Sequence, residues 1–178
     1  TATKISIPRG TLIRIAEFYG TKELGTNKGL FMSARKQAVE IKEVEKELYR
    51  RNWFKGEILS GPADNSIFDK SPDQASIASL MESERVFWSS SNKSPGSRVR
   101  GLEIARQRLT NVLEGEGPGL LVMDNCNAFM ELFPRLHRSA DDPDDIDTDA
   151  EDHIWDETRY AILDANLRYP VELKTRYS

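Results

Sequence analysis

Apolar residues spaced three and four apart predict helices over the longer stretches of this chain, and short apolar runs between turn residues predict strands. Ser33 caps the first helix, with Ala34, Ala38, Ile41, Val44 (or Glu45) and Leu48 at helical spacing and Lys and Glu on the other face. A shorter helix fits Asp73 to Ser83, with Ile77, Leu80 and Met81 inward. A third runs from Ser97 to Leu113. Its apolar face is Leu102, Ala105, Leu109 and Leu113, with Arg106 and Arg108 on the wet side. A fourth, Asn125 to Leu136, is cut at Pro134. The last begins at His153 and carries Ile154, Trp155, Tyr160, Ala161 and Ile162. After Asn166 the periodicity is lost and Tyr169-Pro170 opposes further helix, so 167–178 reads as an irregular tail.

Between the helices, residues 4–18 predict a hairpin. Ile5 and Ile7 alternate with polar neighbours, Pro8-Arg9-Gly10 turns, and Leu12, Ile13, Ile15 and Phe18 continue as strand. Gly20 to Gly29 is a polar loop. Trp53 and Phe54 are expected to pack against the next strand, Glu57 to Ser60, which runs into a Gly61-Pro62-Ala63-Asp64-Asn65 turn. Val86-Phe87-Trp88 and Leu120 to Met123 are the remaining strands, and Ser89 to Ser97 is a polar loop. Strands alternating with helices after an opening hairpin predict an α/β domain with a mixed sheet, antiparallel at the hairpin and largely parallel beyond it. No repeat and no domain boundary is evident, so residues 1–178 read as a single domain.

A chain of 178 residues with 38% hydrophobic content can bury a real core. Its net charge of −4 neither argues for nucleic acid nor excludes it, because a local basic strip suffices. The single cysteine, Cys126, rules out an internal disulfide and a multi-cysteine zinc site. No apolar run approaches membrane-spanning length and no signal sequence opens the chain, which predicts a soluble, intracellular protein.

Charge changes the picture most at Asp141 to Tyr160, where ten carboxylates crowd the first seventeen residues. An acidic loop there runs directly into the last helix, which carries Asp156 into or beside its apolar face. A carboxylate in that setting needs a cation or hydrogen bonds. His153 precedes it by three residues, and H-x-x-D on a helix puts imidazole and carboxylate on one face, able to share a divalent ion. Arg159, at i+3, offers a plain salt bridge instead. Asp64 follows a strand, where α/β sheets build their sites, and the same position equally suits an Asx-turn or a helix cap. Asp145, Asp147 and Asp149 alternate as in a calcium loop, without that loop's glycine and final glutamate in register.

Lys93, Arg98 and Arg100 form a local basic patch suited to phosphates, or an ordinary charged surface with Arg98 and Arg100 balanced by Glu103. No glycine-rich phosphate loop with a following Lys-Ser/Thr is present, so an ATP motor is not encoded here, and Gly96 and Gly101 do not form one. Cys126 and His137 lie eleven residues apart on one helical segment, too far for a direct dyad, and Cys126 is expected to face the core.

Four stretches in order resemble the C-terminal nuclease domain of the large terminase subunit of tailed bacteriophages. They are SGPADN at 60–65, FWSSSNKSPGSRVRGLEIARQRL at 87–109, GLLVMDNC at 119–126 and EDHIWDETRYAIL at 151–163. The resemblance covers most of the chain and implies a ribonuclease H-like fold. It also implies a metal-dependent endonuclease that cuts concatemeric double-stranded DNA during genome packaging. In that family a triad of acids binds one or two Mg²⁺ or Mn²⁺ ions. The middle acid corresponds to Asp64, the last to Asp156, and a histidine near the last acid to His153. The family's first acid sits on a first strand that precedes the strand beginning near Thr11. Residues 1–18 hold only Glu17, on the second strand and a poor substitute by position, so that strand is expected to be missing or unresolved and its ligand is unassigned.

The implied mechanism uses one ion to activate water and another to stabilise the leaving 3′ oxygen, with weak sequence preference and Lys93, Arg98 and Arg100 on the phosphates. The implied partners are double-stranded DNA, a terminase ATPase domain, the small terminase subunit and the portal, with no membrane. The implied place is the host cytoplasm, transiently at the procapsid. Two readings compete: a DNA-binding or docking module of the packaging motor without catalysis, and a calcium-dependent interaction domain built on residues 141–152.

Overall fold

The computed structural model describes residues 6–24, 28–139, 145–147 and 152–173. The chain divides into two compact units, one formed by Thr1–Ile15 with Asn92–Ser178 and the other by Ala16–Ser91. In chain order the elements are β1 (Leu12–Arg14), α1 (Ala34–Arg50), β2 (Gly61–Ala63), α2 (Ile77–Glu82), β3 (Trp88–Ser90), α3 (Ser97–Glu114), β4 (Leu120–Val122), α4 (Asn127–Leu132) and α5 (His153–Arg168). Strands and helices alternate, as an α/β chain requires.

The Ala16–Ser91 unit is built on α1. Ser33 caps it, its hydroxyl accepting the Lys36 N–H at 3.3 Å. Ala38, Met81 and Val86 are buried together, with Ala34, Ile41 and Trp88 packed around them. β2 and β3 run parallel, Gly61 opposite Trp88 and Ala63 opposite Ser90. The strands lie later than the apolar pattern predicts, at 61–63 and 88–90 instead of 57–60 and 86–88. Val86 is spent on the contact with α1 and α2 and so is not laddered, and Pro62, lacking an N–H, suits a strand bonded on one side only. α2 is shorter than expected because Ser76 caps it, and Ile77 is left exposed. Trp53 and Phe54 meet residues at the end of α1. Phe54 meets Tyr49 edge-on and the Arg51 guanidinium covers the Trp53 ring.

In the other unit β1 and β4 pair in parallel, Leu12 opposite Leu120 and Arg14 opposite Val122. The expected hairpin at 4–18 is therefore not formed among the described residues: Ile7 is exposed, and the strand at 12–14 finds its partner at the far end of α3. Ile5 lies outside the described residues. The observed ladders are two separate parallel pairs, and the antiparallel pairing among the described residues consists of isolated bridges, Thr21 with Gly29, Ser71 with Gln74 and Arg138 with Ile146. α3 and α5 pack against each other over a core that includes Ile104, Ala105, Ile154, Trp155, Ile162 and the fully buried Cys126.

α3 is turned differently from its apolar pattern. Leu109 is partly exposed and Leu113 is 88% exposed, while Arg108, expected on the wet side, is fully buried. Its guanidinium donates to the carbonyls of Gly10 at 2.9 Å, Gly119 at 3.3 Å and Tyr169 at 3.1 Å. A planar fork of five N–H donors satisfies backbone carbonyls at the start of both strands and after α5, which no apolar residue could do. Burial lowers the pKa of Arg108 from its ordinary value. Gly10 makes this junction possible: its φ is +86°, and a Cβ there would lie 2.7 Å from Cβ of Tyr169.

Candidate functional site

Asp156 lies in the first turn of α5, half-buried, where helix-terminal N–H groups favour a negative charge. The helix forms here because Ile154, Trp155, Thr158 and Ile162 bury one stripe against α3 and α4, which leaves Asp156 on the border of the core. Three side chains reach its carboxylate. Arg159 donates to Oδ1 at 2.7 Å, Arg98 ion-pairs with Oδ1 at 3.5 Å, and the Tyr160 hydroxyl donates to Oδ2 at 3.3 Å. The salt bridge with Arg159 that the i+3 spacing offers is thus formed. Arg159 is only 3% exposed and is further fixed by Ser97, whose hydroxyl accepts from Nη1 at 3.4 Å.

Sequence reasoning did not reach Gly101. A Cβ at that position would come within 2.8 Å of Cγ of Arg159, so α3 lets the arginine pass only because residue 101 has no side chain. The signal was available as a glycine inside a helical pattern, which marks close packing.

Arg98, from the first turn of α3, is tied more strongly elsewhere. Its Nε donates to both oxygens of Asp145, at 2.8 and 3.1 Å, and Nη2 donates to the Ile146 carbonyl at 3.2 Å. The 145–147 segment is in turn pinned to 137–139: Ser139 N–H bonds Asp145 O and Asp147 N–H bonds His137 O. Ile146 is buried between these bonds. Burial alone would pull the Arg98 pKa down, but Asp145, with Asp156 and Asp152 behind it, more than offsets this and holds it above its ordinary value. Of the alternating acids, Asp145 therefore serves as an arginine's counter-ion; Asp149, like 141–144, 148, 150 and 151, lies outside the described residues.

Asp152, the residue before α5, was not singled out by sequence. It is half-buried, and burial followed by the nearby charge of Asp156 raises its pKa, against the pull of Arg98 and His153. His153 opens the helix and is exposed. Lys93 and Arg100 are exposed as well, with the Lys93 ammonium 5.8 Å from the Tyr160 ring centroid. Cys126 is fully buried, and His137 is exposed.

Asp64 belongs to the Ala16–Ser91 unit. It follows the carboxyl end of β2 and caps a 3-10 helix, Asn65–Phe68, its Oδ1 accepting the Ser66 N–H at 2.9 Å. The capping role that its position allowed is realised.

Among the described residues no three of His, Cys, Asp and Glu gather as a metal-holding group. Asp152 and Asp156 stand one helical turn apart at the start of α5, and Asp156 is already ion-paired with Arg159 and Arg98. No helix among the described residues is long and apolar enough to cross a membrane. Set against models of known protein families, curated proteins and solved structures, the chain matches none of them.

Proposed function

We propose that this chain is a metal-dependent DNA endonuclease domain, of the ribonuclease H-like kind found at the C-terminal end of phage terminase large subunits. Its substrate would be concatemeric double-stranded DNA, its cofactor Mg²⁺ or Mn²⁺, and its partners the packaging ATPase, the small terminase subunit and the portal. The observation that carries the reading is Asp156: a carboxylate at the edge of a core, aimed by buried side chains and paired with a second acid one turn away. The cost of taking this charge from water is met by Arg159 and Arg98, and a carboxylate held in one direction at a core edge is where functional acids concentrate.

In this reading Asp156 and Asp64, with His153, are the metal ligands that the sequence resemblance assigns. When bound, divalent ions supply a water of lowered pKa and neutralise charge at the leaving 3′ oxygen. The chain's own residues do the positioning. Arg159 and Tyr160 fix the direction of the Asp156 carboxylate, and the exposed Lys93 and Arg100 attract the DNA backbone with little regard for sequence. The 3-10 turn after β2 fixes Asp64.

A second reading, a DNA-docking module without catalysis, draws on the fact that Asp156 already has two guanidinium partners and Asp64 a backbone one. Cleavage of linear double-stranded DNA with Mn²⁺ separates the two. Wild-type cutting that falls at least about a hundredfold in Asp156→Asn, with DNA retention in a gel shift unchanged, is the expected result. Equal cutting by Asp156→Asn, or binding without cutting by every form, would favour the docking module.

A further inference from the structure

We propose that the cleft between residues 57–60 and the chain entering β3 accepts an extended segment of a partner polypeptide, which adds as a strand beside 57–60. The site lies wholly within the Ala16–Ser91 unit and is independent of the metal-site reading of Asp156.

Residues 57–60 carry the apolar pair Ile58 and Leu59 and lead directly into β2, so their sequence is that of a strand. The ladder nevertheless begins only at Gly61 opposite Trp88, and Ile58 and Leu59 make no backbone hydrogen bond among the described residues. The reason lies on the β3 side. In the same parallel register Leu59 would face Val86, but the Val86 N–H is committed to the Met81 carbonyl at 3.2 Å. Its side chain is buried with Ala38 and Met81. Arg85 leaves α2 at φ +63°, a left-handed conformation that strand residues do not adopt. The two segments therefore cannot close on each other. Residues 57–60 are held at both ends all the same, by β2 and by the Tyr49 hydroxyl, which donates to the Gly56 carbonyl at 2.8 Å.

Where the segments diverge, a cleft of about 420 Å³ opens. Ile41 and Tyr49 of α1 line it, with Ile58, Leu59, Phe87 and Trp88. Leu59 is 66% exposed and Phe87 52%. The charges of the lining cancel: Lys42 is ion-paired with Glu45, and Glu57 and Arg85 stand one on each segment. A neutral cleft with aromatic and aliphatic walls suits apolar side chains, not the phosphates of a nucleic acid. Unpaired main-chain donors and acceptors along one wall call for a ligand that has a main chain of its own. A strand with apolar side chains at alternate positions meets both demands, because its backbone ladders with 57–60 while one of its faces fills the cleft.

The experiment titrates a fluorescein-labelled synthetic peptide, KTVTLTVE with its carboxyl end amidated, with the 178-residue chain and follows anisotropy. Wild type should bind saturably. Leu59→Asp and Phe87→Ser should each weaken binding about tenfold, since both put polarity into an apolar contact. Leu113→Asp, at an 88%-exposed leucine of the other unit, should change nothing. Circular dichroism checks each fold, and Leu59→Ser replaces Leu59→Asp where that variant does not fold. Two N-methylated peptides, one modified on the three apolar residues and one on the three threonines, test the ladder. At least one should bind about tenfold more weakly, having lost the N–H donors that face 57–60. Undiminished binding of both overturns strand addition. Binding that Leu59→Asp and Phe87→Ser leave unmoved, an equal loss in Leu113→Asp, or no saturable binding at all overturns the site. Sedimentation of the chain alone closes the test: a dimer that Leu59→Asp dissociates would assign the cleft to a second copy and overturn the partner segment.

Discussion

Asp156 and Asp64 show two ways of holding an acid. In the unit containing α3 and α5, Asp156 is held by other side chains, among them the 3%-exposed Arg159 that Gly101 admits. In the Ala16–Ser91 unit, Asp64 is held by its own turn through the Ser66 N–H two residues on. The cores differ in the same sense. One unit buries Trp155, Ile104, Ile154, Ile162 and the charged Arg108 completely, while the other gathers Ala38, Met81 and Val86. A carboxylate at a core edge takes its direction from side chains of its own helix, Arg159 and Tyr160, and from Arg98 of the helix packed beside it. One positioned by a turn takes its place from the backbone, and substitution there costs little beyond the cap.

The contrast can be broken in three places. Arg108→Met removes donors from three backbone carbonyls and should cost about 3 kcal/mol. Hydrogen exchange should show the loss of protection in α3 and α5 with α1 unchanged; an equal loss in α1 would mean that the two units do not differ in this way. Gly101→Ala should cost about 2 kcal/mol, since its Cβ must push Arg159 aside. Combined with Arg159→Ala it should be much less costly, and strict additivity in urea melts would show that the two residues do not meet. Asp64→Ala should cost about 1 kcal/mol and Asp64→Asn almost nothing, because an amide oxygen caps as well. A comparable loss in both would place the charge of Asp64, not its cap, at the centre of local stability.

Much of the secondary structure was legible. The first and last long helices follow their apolar periodicity, and Ser33 and the Gly115 break mark the ends of α1 and α3 as local chemistry requires. The pairing of Asp156 with Arg159 was offered by i+3 spacing and is formed. The hairpin was not, because strand pairing is chosen by whatever edge becomes available. Thr11 and Gly119, joined by a hydrogen bond, are 108 residues apart. Arg108 misled for a related reason: helical periodicity treats every arginine as wet, and only three converging carbonyls make a buried one worth its desolvation.

By itself the sequence determined what is local: the α/β alternation, three long helices, the cap at Ser33, the turn at Asp64 and the carboxylate on the first turn of α5. These depend on φ/ψ preference, side-chain period and bonds within a few residues, all readable along the chain. Only the tertiary structure decided which strands pair, that Arg108 is buried, that Gly101 clears a path for Arg159, and that Asp145 claims Arg98. Each of those is a contact between distant residues, settled by packing volume and by where desolvated charges find partners.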